Sequence, residues 1–282
     1  MELDKIDFLF KRPIDIVIHA ACTAHEGLSV FSPALITKNT FQITMNLLSK
    51  SIKYKVKKFI YMSSMARYGN QKYPFTEDLQ PLPQDPYGIA KVASELAIRN
   101  LCETHGMEFC ILVPHNIIGP GQKYDDPYRN VVSIMINRML QGKQPVIYGD
   151  GQQERCFSFI SDVVNPIIRA CVTDTANGRV INIGPDEEPV SINELAHRLA
   201  KIMNFDLDPI YVSARPREVK NATCSAQLSR EILGYETKVL LDEGLEALIS
   251  YIKDRGVLPF KYDFEIEIES ELTPSTWTGK LI

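Results

Sequence analysis

Ser64, Tyr87 and Lys91 are the residues whose types and spacing offer acid–base chemistry. A phenol titrates near ~10 and is a poor base at neutral pH unless a nearby cation favours its phenolate. Lys91 follows Tyr87 by one helical turn, so both side chains share a face of any helix that contains them. With the Ser64 hydroxyl bonded to the same oxygen, Tyr87 can take the proton of a hydroxyl group while hydride leaves the carbon that bears it. A tyrosine and a lysine at this spacing arise by chance on many helices. The context is what singles them out: an apolar strand ending in Ser63-Ser64, a loop carrying Tyr68-Gly69, and the run Pro86-Tyr87-Gly88-Ile89-Ala90-Lys91 opening a helix.

These side chains need a rigid frame, and the hydropathy pattern predicts one. Short apolar runs, IDIVIHAA (14–21), KFIYMS (58–63), FCILVP (109–114) and RVINIG (179–184), alternate with helix-length stretches at 33–52 and 86–105. Continuous apolar strands separated by helices imply a parallel sheet covered on both faces, a doubly wound, Rossmann-like α/β fold. The 86–105 helix has legible ends, with Asp85 as cap, Pro86 in the first turn and Gly106 at the exit. From about residue 117 the texture changes to a smaller α/β unit, with a helix near 127–141 and a capping box, Ser191 to Glu194, opening another. The expected division is 1–116 with a return segment at about 157–184 for the larger unit, 117–156 and 185–260 for the smaller, and 261–282 as a C-terminal arm or an extra edge strand. The smaller unit then sits at the carboxyl ends of the strands, where open α/β sheets bind ligands.

The bulk properties narrow the class. The 282 residues are 45% hydrophobic and 23% charged, enough for a large core, and the net charge of −4 with scattered Lys and Arg argues against nucleic acid as a partner. No apolar run reaches membrane-spanning length and the N-terminus lacks a signal pattern, which places the expected site of action in the cytosol, off the membrane. The six cysteines are isolated and read as small core residues; no metal site is expected. His19 reads as a packing residue, and His115 is the one other histidine near the strand ends.

Taken in order, D-I-V-I-H-A-A (15–21) with Ala24, Asn39, F-I-Y-M-S-S-M-A-R-Y-G (59–69), P-Y-G-I-A-K (86–91), N-I-I-G-P-G (116–121), V-I-Y-G-D-G (146–151), R-C-F-S-F-I-S-D-V (155–163) and R-P-R-E-V (215–219) resemble the extended short-chain dehydrogenase/reductases of the nucleotide-sugar epimerase/dehydratase family. The resemblance, over about 14–255, implies an NAD-dependent enzyme. It makes Tyr87 the base, Lys91 its partner and a ribose contact, and Ser64 the anchor of the substrate oxygen. Ala20, Ala21, Asn39 and Ser63 become cofactor-side residues. Asn116, Arg155 and Arg215 become grips for a nucleotide diphosphate, and Tyr148 the aromatic under its base. Met65 and Ala66 follow Ser64 where the resembling dehydratases carry acids, so 4-epimerisation is the favoured reaction, with reduction open as the same chemistry run once. Homodimerisation through the 33–52 and 86–105 helices is also implied.

One family feature has no counterpart here. The glycine-rich strand-to-helix turn that accepts a dinucleotide's pyrophosphate has no match, since the first glycine is Gly27 and only 13 residues precede Ile14, while a strand–helix–strand unit takes about 30. The expectation is therefore an N-terminally truncated dinucleotide fold. In order of preference, the chain is read as a fragment of a complete epimerase, as one partner of a second polypeptide that completes the sheet, or as a cofactor-less nucleotide-sugar-binding module.

Overall fold

The computed structural model describes residues 3–187 and 189–282; Met1 and Glu2, at the start of the first expected unit, and Glu188, in the smaller one, lie outside the described residues. Its strands in chain order are β1 (Ile16–His19), β2 (Lys58–Met62), β3 (Glu108–Pro114), the short β4 (Ile117–Ile118), β5 (Val146–Tyr148), β6 (Glu154–Arg155), β7 (Ser158–Phe159), β8 (Val180–Ile183), β9 (Val190–Ser191), β10 (Ile210–Val212) and β11 (Asn221–Ala222). Four of them form a parallel sheet in the order β1-β2-β3-β8. The register pairs Val17 with Phe59, Phe59 with Phe109 and Leu112 with Ile181. β2 is buried along its whole length, which is why its sequence is a run of large residues without polar alternation. Among the described residues β1 and β8 are the outer strands of this sheet, and Ile18 of β1 is 48% exposed.

The α-helices are α1 (Glu26–Ser29), α2 (Pro33–Thr37), α3 (Ile43–Lys53), α4 (Pro86–His105), α5 (Val131–Leu140), α6 (Ile160–Val172), α7 (Ile192–Met203), α8 (Gln227–Leu233), α9 (Leu241–Arg255) and α10 (Ser275–Thr278). Side chains alternate across the sheet. Phe59, Tyr61 and Ile111 face Leu48 of α3 and Ile98 of α4, while Ile60, Cys110 and Leu112 face Val163 and Ala170 of α6. Val132 and Ile136 of α5, Leu195 and Leu199 of α7, and Leu245 and Leu248 of α9 close a separate core. Helical spacing of these apolar residues makes each helix one-sided, so the three bury their stripes against one another.

The ends of α4 follow the local chemistry. Asp85 accepts a hydrogen bond from the Gly88 amide at 2.9 Å, and Gly106 takes the left-handed conformation at φ 67°. Likewise the Ser191 hydroxyl accepts from the Glu194 amide at 3.0 Å to open α7. The 33–52 stretch departs from one regular helix, since a π-helical segment, Lys38–Gln42, joins α2 to α3. Among the described residues no helix is long and apolar enough to cross a membrane.

The tail adds no strand among the described residues and instead lies across the molecule as an arm. The Glu267 carboxylate accepts from the Ala34 and Leu35 amides at 2.9 and 2.8 Å, satisfying free donors at the start of α2, and Ile268 donates to the Phe31 carbonyl. Its polar groups are thus used by a helix end and a loop, which leaves no ladder for an edge strand. Trp277, 2% exposed, packs edge-on against Phe31 and Tyr128 at ring separations of 5.9 and 5.3 Å.

Gly69 closes the loop that follows Ser64. Its φ is 60°, and a Cβ there would lie 2.0 Å from the Leu82 carbonyl oxygen. Gly69→Ala is expected to cost about 2–3 kcal/mol through strain and the clash with backbone. A lower urea midpoint with an unchanged slope is the expected readout.

Candidate active site

Several elements converge on one cavity of about 470 Å³. The end of β2 delivers Ser63 and Ser64, the first turns of α4 deliver Tyr87 and Lys91, and the loops around β5, β6 and residues 215–218 deliver Tyr148, Arg155, Arg215 and Glu218. Pro86 and the Asp85 cap start α4 at the strand end, so Tyr87 enters the cavity beside Ser64 instead of on the outer surface.

Tyr87 is 6% exposed and Lys91 2%. Burial pushes the Tyr87 phenol well above its ordinary range, against the opposing pull of the Lys91 ammonium and a hydrogen bond with Ser64. Desolvation therefore outweighs the lysine in the free protein, a balance that spacing alone does not reveal. The Lys91 ammonium donates to the Met62 carbonyl at 2.6 Å and lies 5.8 Å from the centre of the Tyr87 ring. It has no carboxylate partner among the described residues. Ser64 caps the short turn Met65–Arg67, accepting from the Ala66 amide at 3.2 Å, and this fixes its hydroxyl at the cavity wall.

At the other end of the cavity the Arg215 guanidinium lies 4.8 Å from the Tyr148 ring centre and donates two bonds to Glu218, at 2.8 and 3.3 Å. Burial works to raise the Glu218 carboxyl, but Arg215 and Arg155 hold it below its ordinary range. Arg155 is itself pinned by the Val219 and Glu154 carbonyls at 2.8 and 2.7 Å. The Tyr148 hydroxyl shares a 2.6 Å hydrogen bond with Thr276, so the C-terminal arm braces this end.

The expected residues do not all gather equally. Ala20, Ser63, Ser64, Tyr87, Lys91, Asn116, Tyr148, Arg155 and Arg215 line the cavity; Ala21 and Asn39 do not. Asn39 donates to the Thr23 hydroxyl at 3.1 Å. The Ser63 hydroxyl is bonded to the Glu95 carboxylate, and the Asn116 amide to the Cys156 carbonyl at 2.8 Å, so both hydroxyl and amide serve the wall itself. His19 packs with its Nε2 on the Thr44 hydroxyl at 2.9 Å, and His115 sits between the Pro185 carbonyl and the Cys224 thiol at 2.7 and 3.1 Å. Four cysteines are buried; Cys22, half-buried, lines the cavity.

Sequence reading overlooked Glu26 and Glu218 as site residues, and took Asp85 only as a cap although it also lines the cavity. A single acid in a loop carries no periodic signal. For Glu218, the R-P-R-E pattern itself places an acid three residues after Arg215 across a turn, a usable hint.

A parallel sheet carrying a serine at one strand end and a tyrosine–lysine pair on the next helix, with an arginine-walled cavity beyond, defines an extended short-chain dehydrogenase/reductase. The pattern of the NAD dependent epimerase/dehydratase family matches residues 1–184, and the chain belongs to that family. The crystal structure of UDP-glucose 4-epimerase from Thermotoga maritima superposes with a TM-score of 0.85 at 32% identity, covering 90% of this chain and 82% of that one. UDP-glucuronic acid 4-epimerase from Bacillus cereus, in complex with UDP-glucuronic acid and NAD, gives 0.82 at 29%, covering 91% and 79%. UDP-N-acetyl-alpha-D-glucosaminuronate decarboxylase of Bacillus cytotoxicus is 30% identical over 85% of this chain and 77% of its own length.

Proposed function

We propose that the chain is an NAD-dependent nucleotide-sugar 4-epimerase acting on a UDP-sugar. The observation that carries this is the single cavity with Ser64, Tyr87 and Lys91 at one end and Arg155 and Arg215 at the other. Arg215 and Arg155 take the diphosphate, whose oxygens match a guanidinium fork, and Tyr148 supports the base. The sugar then reaches back to Ser64 and Tyr87. Ser64 donates to the C4 oxygen, and Tyr87 receives the C4 hydroxyl proton and later returns it. NAD, when bound, supplies the hydride acceptor at C4 and gives the hydride back to the other face of the 4-keto sugar.

The residues present fit the nicotinamide–ribose end of that cofactor. Lys91 is a buried cation bonded to a carbonyl, over the Tyr61 ring at 4.8 Å and facing no carboxylate among the described residues, a state that a ribose diol would relieve. Ala20, Met62 and Pro114 offer an apolar wall beside it. Ile89 and Leu96, 54% and 63% exposed on α4, support a homodimer through that helix.

The test is direct. Purified chain with NAD and UDP-glucose or UDP-N-acetylglucosamine is followed by proton NMR for the C4 epimer. A steady approach to equilibrium from either epimer is expected; a product that is reduced or decarboxylated would replace this reading. Arg215→Ala is expected to weaken UDP binding by roughly 30-fold or more, as loss of one partner in a desolvated charged contact costs about 2–5 kcal/mol. Calorimetry with UDP alone measures it.

A further inference from the structure

Glu26 is a cavity-lining carboxylate for which the proposed chemistry has no use. No hydrogen bond or salt bridge reaches its side chain among the described residues. Its position is fixed by its neighbours. One turn later on α1, Ser29 donates to the Asp85 carboxylate at 3.1 Å, tying α1 to the start of α4 and hence to Tyr87. On the other side, a Cβ on Gly27 would meet the Arg215 guanidinium at 3.1 Å, so the absence of a side chain there lets Arg215 lie against this helix. Glu26 thus lines the cavity within electrostatic reach of Asp85, which caps the helix of the base, and of Arg155 and Arg215.

We infer that Glu26 selects the sugar: it accepts hydrogen bonds from ring hydroxyl or acylamino groups and rejects sugars that carry a carboxylate. This rests on the UDP-sugar reading above. The charge balance agrees. The cavity wall carries the cations Lys91, Arg129, Arg155, Arg215 and Arg217 against the carboxylates Glu26, Asp85 and Glu218, an excess of two positive charges that a diphosphate already neutralises. A hexuronate would bring a further negative charge next to Glu26 and Asp85. During epimerisation the keto sugar must turn over, so its C5 substituent passes this wall in at least one orientation, and a like charge there has no escape. The relative from Bacillus cereus was crystallised with UDP-glucuronic acid, so overall likeness does not decide the point.

Burial and the nearby Asp85 raise the Glu26 carboxyl to about 7, with Arg155 and Arg215 pulling down and Glu218 adding to the rise. The carboxyl is then mostly neutral at pH 6 and ionised at pH 8.5, which gives the selection a signature. Asp85 from the start of α4, Arg155 from β6, and Arg215 and Glu218 from the following loop are the charged groups around it.

Calorimetry with UDP, UDP-glucose and UDP-glucuronate at the two pH values tests this on the full chain. At pH 8.5 UDP-glucuronate is expected to bind about tenfold or more weaker than UDP-glucose, with the gap narrowing toward pH 6. In Glu26→Gln the gap should shrink severalfold and lose its pH dependence. Equal binding of the two sugars by the wild-type protein at pH 8.5 overturns the inference, as does a gap that Glu26→Gln leaves intact. A gap without C4 exchange on either sugar would sink the epimerase reading and leave the selection standing. C4 exchange together with equal binding of the two sugars would do the reverse.

Discussion

Tyr87→Phe is expected to lower the rate of C4 exchange by about 10²–10⁴-fold while a UDP-sugar still binds within about twofold of wild type. The ring stays in its buried slot, so packing is nearly unchanged; the lost group is the oxygen that receives the C4 proton. Without it hydride departure would leave a protonated ketone, or the proton would have to pass through Ser64 to water. The wild-type pH profile should show a rising limb. Burial holds the Tyr87 phenol above its ordinary range, so the basic form becomes more populated as pH increases, and Lys91 sets how early that limb begins. Removing the oxygen should flatten the limb as well as lower the rate. Exchange within tenfold of wild type, or an unaltered profile, would remove Tyr87 from the chemistry and leave Lys91 and Ser64 to be explained as packing.

Much of the frame behind this expectation was readable from residue order. After their first residues, Lys58 and Glu108, β2 and β3 run without polar alternation because both faces are covered, and α4 announces itself at both ends with Asp85-Pro86 and Gly106. Tyr87 and Lys91 share a face through helical spacing alone. Other parts depend on contacts that no local pattern encodes. The π-helical Lys38–Gln42 segment has an amphipathic sequence that reads as ordinary helix, and the tail's role depends on Glu267 meeting the start of α2, more than two hundred residues away in sequence. The Tyr87 balance of charge against desolvation needs burial, which only the packed structure supplies. Glu26 was invisible for the same reason: a lone acid matters only once the fold sets Asp85 and Arg215 on either side.

Glu95 extends the same helical face by one more turn, and Glu95→Ala is expected to be among the most damaging single changes in the chain. Glu95 and Arg67 are 5% and 4% exposed, and the Arg67 Nε donates to both carboxylate oxygens at 3.1 Å. The Ser63 hydroxyl donates to the same carboxylate. Removing the acid strips a buried guanidinium of its hydrogen-bonded counter-charge and leaves, among the described residues, only the Glu77 carboxylate to act on it, at a cost of about 3–5 kcal/mol, which for a chain of this size lowers the melting temperature by roughly 10 °C. It also frees Ser63, the immediate neighbour of Ser64, so the oxygen anchor should loosen and the C4 exchange rate fall with the stability. The pair was paid for in desolvation when the core formed, and that predicts an asymmetry. Arg67→Met combined with Glu95→Leu should be more stable than Glu95→Ala alone, because no charge is stranded. Urea denaturation of the two variants and the wild type decides this. A single variant that loses less than about 1 kcal/mol, or a double variant worse than the single, would mean that water reaches Arg67 and that the strand end carrying Ser63 and Ser64 is held by the backbone of β2 and not by this buried pair.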